Sequence, residues 1–121
     1  MAKPPVRWSF VADFAETVVW LDVAKFDAAW QASENYVGAG GAGSLHGRRY
    51  LNVGCFIEAH WQLWYPHVAL IDGLPEFVDG RHRFAWLRDH GASAIPVTVS
   101  SPDDVELEQL YGSPIRLTTV A

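Results

Sequence analysis

A run of basic side chains in the second half of the chain is the feature best suited to chemistry. Arg81, His82 and Arg83 directly follow Asp79 and Gly80 in the stretch VDGRHRFAWLRDHG. This pattern predicts a strand, a sharp turn and a helix that begins at Asp79 or Gly80. The amide groups at a helix N-terminus carry partial positive charge, so each exposed base there costs about 0.3–1 kcal/mol. The sequence therefore predicts that an anion is bound at this turn.

A phosphate group suits the chemistry of these five residues. Gly80 allows the backbone to approach an anion closely, and the free amides of the helix start would point at it. Arg81 and Arg83 can each bind two phosphate oxygens, while His82 can donate a hydrogen bond or act as a general acid or base. Asp79 can cap the helix, orient an arginine or bind a divalent cation beside the phosphates, and it is also a candidate catalytic residue.

An alternative assigns the two arginines to ion pairs on a solvated surface. Their candidate partners are the carboxylates of Asp79, Glu76 and Asp89. The predicted last helix argues against this reading of the turn, because it has acids in its first turn, as a structural helix start should. The anion site is preferred, and the ion pairs remain an alternative.

Four further side chains are candidates for contact with a substrate or a partner: Arg49, Tyr50, Trp61 and Trp64. The first two follow a glycine-rich segment that we interpret as a flexible loop, and a solvated loop edge is the alternative for them. The other two lie in HWQLWYPH, where a core position is the first interpretation and an exposed surface for stacking or docking the second. His60, His67 and Cys55 match no standard zinc spacing.

The elements that position these residues follow from periodicity and turn signals. Strands are predicted at residues 6–14, 17–23, 50–57, 67–71, 76–78 and 94–100, with a hairpin turn at Asp72-Gly73. Helices are predicted at residues 23–32 with Asp22 as cap, from 79 or 80 to Gly91, and from a Ser101 cap through Leu110. The spacing of Gly38, Gly40 and Gly43 formally matches G-x-G-x-x-G. A dinucleotide site needs a strand before this motif and a helix after it, and neither is predicted here. The prediction is an α/β (α+β) fold, with a small mixed sheet and a few helices in a single domain over residues 1–121.

Composition limits the classes of function. The 121 residues carry a formal net charge of −5, which argues against a basic surface for duplex DNA. A single cysteine, no secretory signal and no long apolar run favour a cytoplasmic protein without membrane insertion.

Residues 66–99 resemble the nucleotide-binding signature of the ParB/sulfiredoxin superfamily. The resemblance lies in the sequence FVDGRHRFAWLRDHGASAIPV, which follows the hairpin PHVALIDG. Within it they look most like the plasmid fertility inhibition factors of the Osa and FiwA type. The resemblance implies binding of ATP or another nucleotide, with or without Mg²⁺, at the DGRHR turn. It also implies ATPase or DNase activity in some members, and a block of conjugative transfer that acts on a coupling protein or on the transferred DNA.

Two departures from that superfamily narrow the expectation. Sulfiredoxins have a reactive cysteine at the position of Arg81, so sulfinic acid reduction is not expected, and the chain has no room for the DNA-binding regions of partitioning proteins. Three functions stay open: an enzyme using His82 and Asp79, a catalytically silent module that occludes a coupling protein, and a toxin-like component of a conflict system.

Overall fold

The computed structural model describes residues 3–10 and 16–121, and the fold in these ranges is a mixed α/β fold, as predicted. The strands are β1 Arg7–Ser9, β2 Thr17–Asp22, β3 Gln62–Trp64, β4 His67–Ile71, β5 Leu74–Asp79 and β6 Ala94–Val99. The helices are α1 Val23–Trp30, α2 Gly47–His60, α3 Arg81–Asp89 and α4 Asp103–Tyr111, with a short 3₁₀ turn at Ala39–Gly41.

The main sheet has four strands in the order β2-β6-β4-β5. β2 and β6 pair antiparallel, β6 and β4 pair parallel, and β4 and β5 form an antiparallel hairpin. The hairpin turns at Asp72 and Gly73, whose φ angles of 53° and 78° are the positive values that an Asp-Gly turn supplies. β6 is buried along its whole length because it is a central strand. The hairpin therefore ends at the predicted DGRHR turn.

A second sheet consists of β1 and β3, which pair parallel from Arg7–Gln62 to Ser9–Trp64. The strand predicted over residues 6–14 is thus only three residues long in the described part, and residues 11–14 of that prediction lie outside the described residues. This small sheet joins the start of the chain to the segment that follows α2.

The strand predicted at residues 50–57 is wrong, because this segment is part of α2. Its buried positions are Tyr50, Gly54 and Ile57, which recur at the spacing of helical turns. Gly54 is needed in this helix because a Cβ there would collide with the indole nitrogen of Trp86 on α3. Cys55, which falls within the predicted strand, is exposed on the helix surface.

Aromatic side chains hold α3 against α1 and β5. Phe84 of α3 lies 5.2 Å from Phe26 and 5.7 Å from Trp30 of α1, measured between ring centroids. Phe77 of β5 lies 5.3 Å from Phe84. Asp22 caps α1 as predicted, since its Oδ1 accepts a hydrogen bond from the Lys25 amide at 3.1 Å. The position of α3 is thus set by the core, close to the turn that precedes it.

The last helix begins later than expected. α4 starts at Asp103, whose amide donates to the Ser100 carbonyl at 3.0 Å, and Pro102 occupies the position before it. The predicted cap by Ser101 is therefore wrong. Among residues 3–10 and 16–121, every helix is too short or too polar to cross a membrane.

Candidate anion-binding site

The turn from β5 to α3 has the geometry that the sequence predicts. β5 ends at Asp79, Gly80 adopts φ 89°, and α3 begins at Arg81. A Cβ on Gly80 would lie 2.6 Å from the guanidinium of Arg83 and 2.7 Å from Cβ of Pro66, so only glycine fits. The Phe84 amide donates to the Gly80 carbonyl at 3.0 Å. The three amides before it start the helix without an intrahelical acceptor.

A cleft of about 260 Å³ opens at this turn. It is lined by residues 77–82, by Asn35 from the segment after α1 and by Arg49 from the first turn of α2. The candidate contact Arg49 therefore lies beside the DGRHR turn, although the two are far apart in the sequence. Two arginines, a histidine and a helix N-terminus converge here, which is an arrangement suited to an anion.

The two arginines of the turn have different partners. Arg81 donates through Nη1 to the Asn35 carbonyl at 3.1 Å, which leaves its other N–H groups for a ligand. Arg83 forms an ion pair with Asp79, with 3.1 Å between Nη2 and Oδ2, and it does not line the cleft. The ion-pair alternative therefore holds for Arg83 with Asp79. Glu76, another candidate partner, accepts a hydrogen bond from Ser33 at 2.7 Å.

His82 is buried, with 6% of its surface exposed, and it contacts a serine that the sequence did not single out. Its Nε2 lies 2.8 Å from Oγ of Ser44. Burial lowers the pKa of His82, and the positive charges of Arg81 and Arg49 lower it further. The imidazole is therefore neutral at pH 7. No local pattern in the sequence indicates Ser44, because its partner is 38 residues away.

The glycine segment is packed against α2 and α3, so it is an anchored loop in place of the flexible loop that we expected. Gly40 and Gly41 have φ angles of 69° and 90°, and the Gly40 amide donates to Oδ2 of Asp89 at 2.9 Å. A Cβ on Gly41 would come within 3.2 Å of the Tyr50 ring. Because α1 precedes this segment, it is not a dinucleotide fingerprint.

Tyr50 is buried, which contradicts its assignment as a surface contact. Its hydroxyl donates to Oδ2 of Asp89 at 2.6 Å. Burial and the neighbouring carboxylate raise the pKa of Tyr50 to about 12. Tyr50 therefore joins α2 to the end of α3, and it keeps the glycine loop between them.

Arg88 is a structural residue that the sequence analysis missed. Its side chain is 12% exposed and pairs with Asp27 of α1, with 2.9 Å between Nη1 and Oδ1. The same nitrogen donates to the Val37 carbonyl at 2.6 Å. Burial by itself lowers the pKa of Arg88, but the hydrogen bonds to Asp27 and Asp89 outweigh it and raise the pKa. This group fixes the segment after α1 to α3.

The aromatic candidates lie near the other end of α2. Trp64 is 47% exposed and stacks on Phe56 with 5.9 Å between ring centroids, and Phe56 lies 4.5 Å from His60. We call Phe56, His60 and Trp64 the aromatic patch. Trp61 is half-buried and packs against the core. A helix rises about 1.5 Å per residue, so Phe56 is roughly 10 Å along α2 from Arg49.

Metal ligands are sparse around the cleft. Over residues 3–10 and 16–121, no three His, Cys, Asp or Glu side chains come together in a way that could hold a metal ion. Asp79, the candidate metal residue, could supply one carboxylate to Mg²⁺ that is held mainly by phosphates and water. Its ion pair with Arg83 would compete with that role.

Comparison with known proteins gives one informative match in structure. No protein-family model and no curated protein matches the sequence. The fold is similar to the crystal structure of an oncogenic suppression activity protein, described as a plasmid fertility inhibition factor, with a TM-score of 0.61 and 23% sequence identity. The match covers 85% of this chain but only 60% of the length of the other protein. At this identity the likeness establishes the fold.

Proposed function

We propose that this chain is a phosphate- or nucleotide-binding protein that acts as a plasmid fertility inhibition factor and blocks conjugative DNA transfer. The observation that supports the binding function is the cleft at the β5–α3 turn, where Arg49 and Arg81 meet the free amides of α3. Support for the biological role comes from the fold shared with a plasmid fertility inhibition factor.

The size of the cleft limits which part of a nucleotide it would hold. Small-molecule pockets usually measure about 300–1,000 Å³, and this cleft, at about 260 Å³, lies just below that range. The phosphates of ATP or another nucleotide would occupy the cleft, and the nucleoside would extend over its open side. Arg49 and Arg81 would bind the phosphate oxygens, and Gly80 would allow close approach of the backbone. Arg83 would act by holding Asp79, which could in turn take up Mg²⁺.

Titration calorimetry with ATP, CTP and GTP, each with and without Mg²⁺, tests the binding function. We expect the Arg49→Ala substitution to reduce nucleotide affinity by at least 10-fold, since a hydrogen bond to a charged group contributes about 1.5–3 kcal/mol. Arg48→Ala is the matched control, because Arg48 is the exposed neighbour that does not line the cleft. The Arg81→Ala, Arg83→Ala double variant should also lose binding while it keeps its circular dichroism spectrum. Unchanged affinity in both variants would rule out this site.

A second candidate function, a catalytically silent module that occludes a conjugative coupling protein, is favoured by the aromatic patch. Exposed aromatics of this kind often supply the residues that dominate a protein interface, and Trp64 is 47% exposed beside Phe56. The patch is separated from the cleft along α2. The net charge of −5 also favours a protein partner over DNA and argues against DNase activity.

A conjugation-frequency assay separates the two functions. If inhibition depends on binding a protein, Trp64→Ala with Phe56→Ala should abolish it, whereas His82→Ala and Asp79→Ala should weaken it only in part. If inhibition depends on ATPase or DNase chemistry, His82→Ala or Asp79→Ala should abolish it, and the aromatic variants should not. We expect the aromatic variants to have the larger effect, and complete loss with His82→Ala in a folded protein would contradict that ranking.

A further inference from the structure

Ser44 and His82 have the geometry of a nucleophile and its general base. The distance between Ser44 Oγ and His82 Nε2 is 2.8 Å. The His46 amide donates to the same Oγ at 3.0 Å, which occupies one lone pair of the oxygen. The hydroxyl hydrogen of Ser44 is then free to point at the imidazole. Serine nucleophiles are activated by an adjacent base at about this distance.

The surroundings keep the imidazole in the form that a base requires. His82 is buried, and the charged or titratable groups that face it are Arg81 from its own helix and Arg49 and His46 from the segment around the start of α2. Burial and these neighbours lower its pKa, so the ring is neutral at neutral pH, and Nε2 has the free lone pair in the tautomer whose proton is on Nδ1. Ser44 remains partly exposed at the surface.

The cleft supplies the charge that phosphoryl transfer needs. His82 forms part of the cleft wall together with Arg49 and Arg81. Fixed positive groups of this kind stabilise the charge that develops on the oxygens of a transferred phosphoryl group. Ser44 is not among the residues that line the cleft, and its hydroxyl is connected to the anion-binding groups through His82.

A second serine in the same loop region provides an internal comparison. The Asn35 amide donates to Ser33 Oγ at 3.0 Å, which repeats the local turn around Ser44. However, the Ser33 hydroxyl donates to Glu76 at 2.7 Å, whereas the Ser44 hydroxyl contacts His82, a residue of the cleft wall. The turn itself is thus a structural motif at both serines, and the imidazole partner distinguishes Ser44.

We propose that Ser44 is a nucleophile, activated by His82, that accepts the terminal phosphoryl group of a nucleoside triphosphate bound in the cleft. This inference rests on the proposed nucleotide binding. Nε2 of His82 takes the Ser44 proton as Oγ forms a bond to the terminal phosphorus, and the bond from that phosphorus to its bridging oxygen breaks to release the nucleoside diphosphate. His82 then releases the Ser44 proton to solvent. In the hydrolysis of the phosphoserine, His82 takes a proton from the attacking water. The water oxygen bonds to phosphorus, the bond to Oγ breaks, and His82 returns the proton to Oγ as inorganic phosphate leaves.

Intact-mass and peptide mass spectrometry test this step. The full chain is incubated with ATP or the triphosphate that binds most tightly, with Mg²⁺, and a phosphoryl group is expected on Ser44. His82→Gln should reduce the yield by about 100-fold, the usual lower limit for a general base. Ser44→Ala should abolish it, and Ser33→Ala, the matched control, should leave it unchanged. A parallel reaction with a fluorophosphonate, which phosphonylates activated serines with loss of fluoride, tests Ser44 without a nucleotide.

The outcomes separate this proposal from the binding function. Calorimetric binding of a nucleotide with no adduct at Ser44 from either reagent would overturn the nucleophile and leave the binding function standing. A fluorophosphonate adduct without a phosphoryl adduct would overturn phosphoryl transfer and retain an activated serine. Absence of nucleotide binding would overturn the proposed function and the phosphoryl transfer together. Equal labelling in Ser33→Ala and wild type, with loss in His82→Gln, is the supporting result.

Discussion

Helices α3 and α4 are each nine residues long, and they begin with opposite charges. α4 has Asp103, Asp104 and Glu106 in its first turn, where acids are favoured by the helix dipole. α3 begins with Arg81, His82 and Arg83 and has no acid in its first turn. Neither helix has a side-chain cap at its N-terminus. Their difference shows how two helices of one domain are stabilised by different means.

Burial explains why α3 tolerates an unfavourable start. Its buried residues are His82, Phe84, Ala85, Trp86 and Leu87, whereas α4 buries only Leu107. Fully burying one large apolar side chain contributes about 1.5–3 kcal/mol, which exceeds the cost of an exposed base at a helix start. α3 is therefore held by packing, and its first turn is available for a ligand. α4 depends more on local charge.

The largest change in stability that tests this difference between α3 and α4 is expected at Gly80, directly before α3. Gly80→Ala should lower the free energy of unfolding by about 2–5 kcal/mol, because a positive φ is costly for alanine and the new Cβ would overlap Pro66 and Arg83. Gly73→Ala is the control, since Gly73 has φ 78° and an open surrounding, and about 1–2 kcal/mol is expected there. Urea denaturation of both variants measures the difference. Equal losses would mean that the close approach at Gly80 is unimportant.

Ligand binding should stabilise the protein through α3 and not through α4. A triphosphate at about 100 times its Kd should raise the free energy of unfolding by about 2.7 kcal/mol. Arg81→Gln should remove most of this gain, because it removes a cleft charge, and Glu106→Gln should retain it. Denaturation with and without the ligand gives the answer. If the ligand still stabilised Arg81→Gln to the same extent, ligand binding would not explain the basic residues at the start of α3.

The pH dependence of stability should reveal the buried base of α3. Because folding lowers the pKa of His82, the unfolded chain binds more protons below its ordinary pKa of about 6.5. Stability from this group is therefore fully present above that pH and falls as the pH decreases towards the folded pKa. The slope can reach about 1.4 kcal/mol per pH unit.

Urea denaturation between pH 7.5 and about 5 measures this slope. His82→Gln should flatten the curve, whereas the exposed residue His60 gives the control His60→Gln, which should follow the wild type. A wild-type slope in His82→Gln would show that the pH dependence of stability comes from a group other than His82.

The smallest expected effect concerns the charges of α4. Glu106→Gln should lower the free energy of unfolding by about 0.3–1 kcal/mol at low salt, and the loss should shrink as salt is added. Glu108→Gln, beyond the first turn of the same helix, is the matched control and should have less effect. Identical losses for the two variants would argue that the dipole does not contribute at this helix start.

Local patterns in the sequence predicted much of the frame around the site. The hairpin, the turn at Gly80 and the start of α3 all lie where glycine, periodicity and charge indicated them. The central part of α2, residues 50–57, was predicted as a strand. Only its packing against Trp86 reveals which residues form the buried face.

The sequence by itself determined that a glycine turn delivers three bases to a helix start, because backbone conformation and helix dipoles act over a few residues. Tertiary structure alone decided which of those bases face the cleft: Arg81 turns to Asn35, Arg83 pairs with Asp79, and His82 meets Ser44. It also brought Arg49 to the same cleft. Contacts between residues tens of positions apart depend on how the whole chain packs, and no local spacing encodes them.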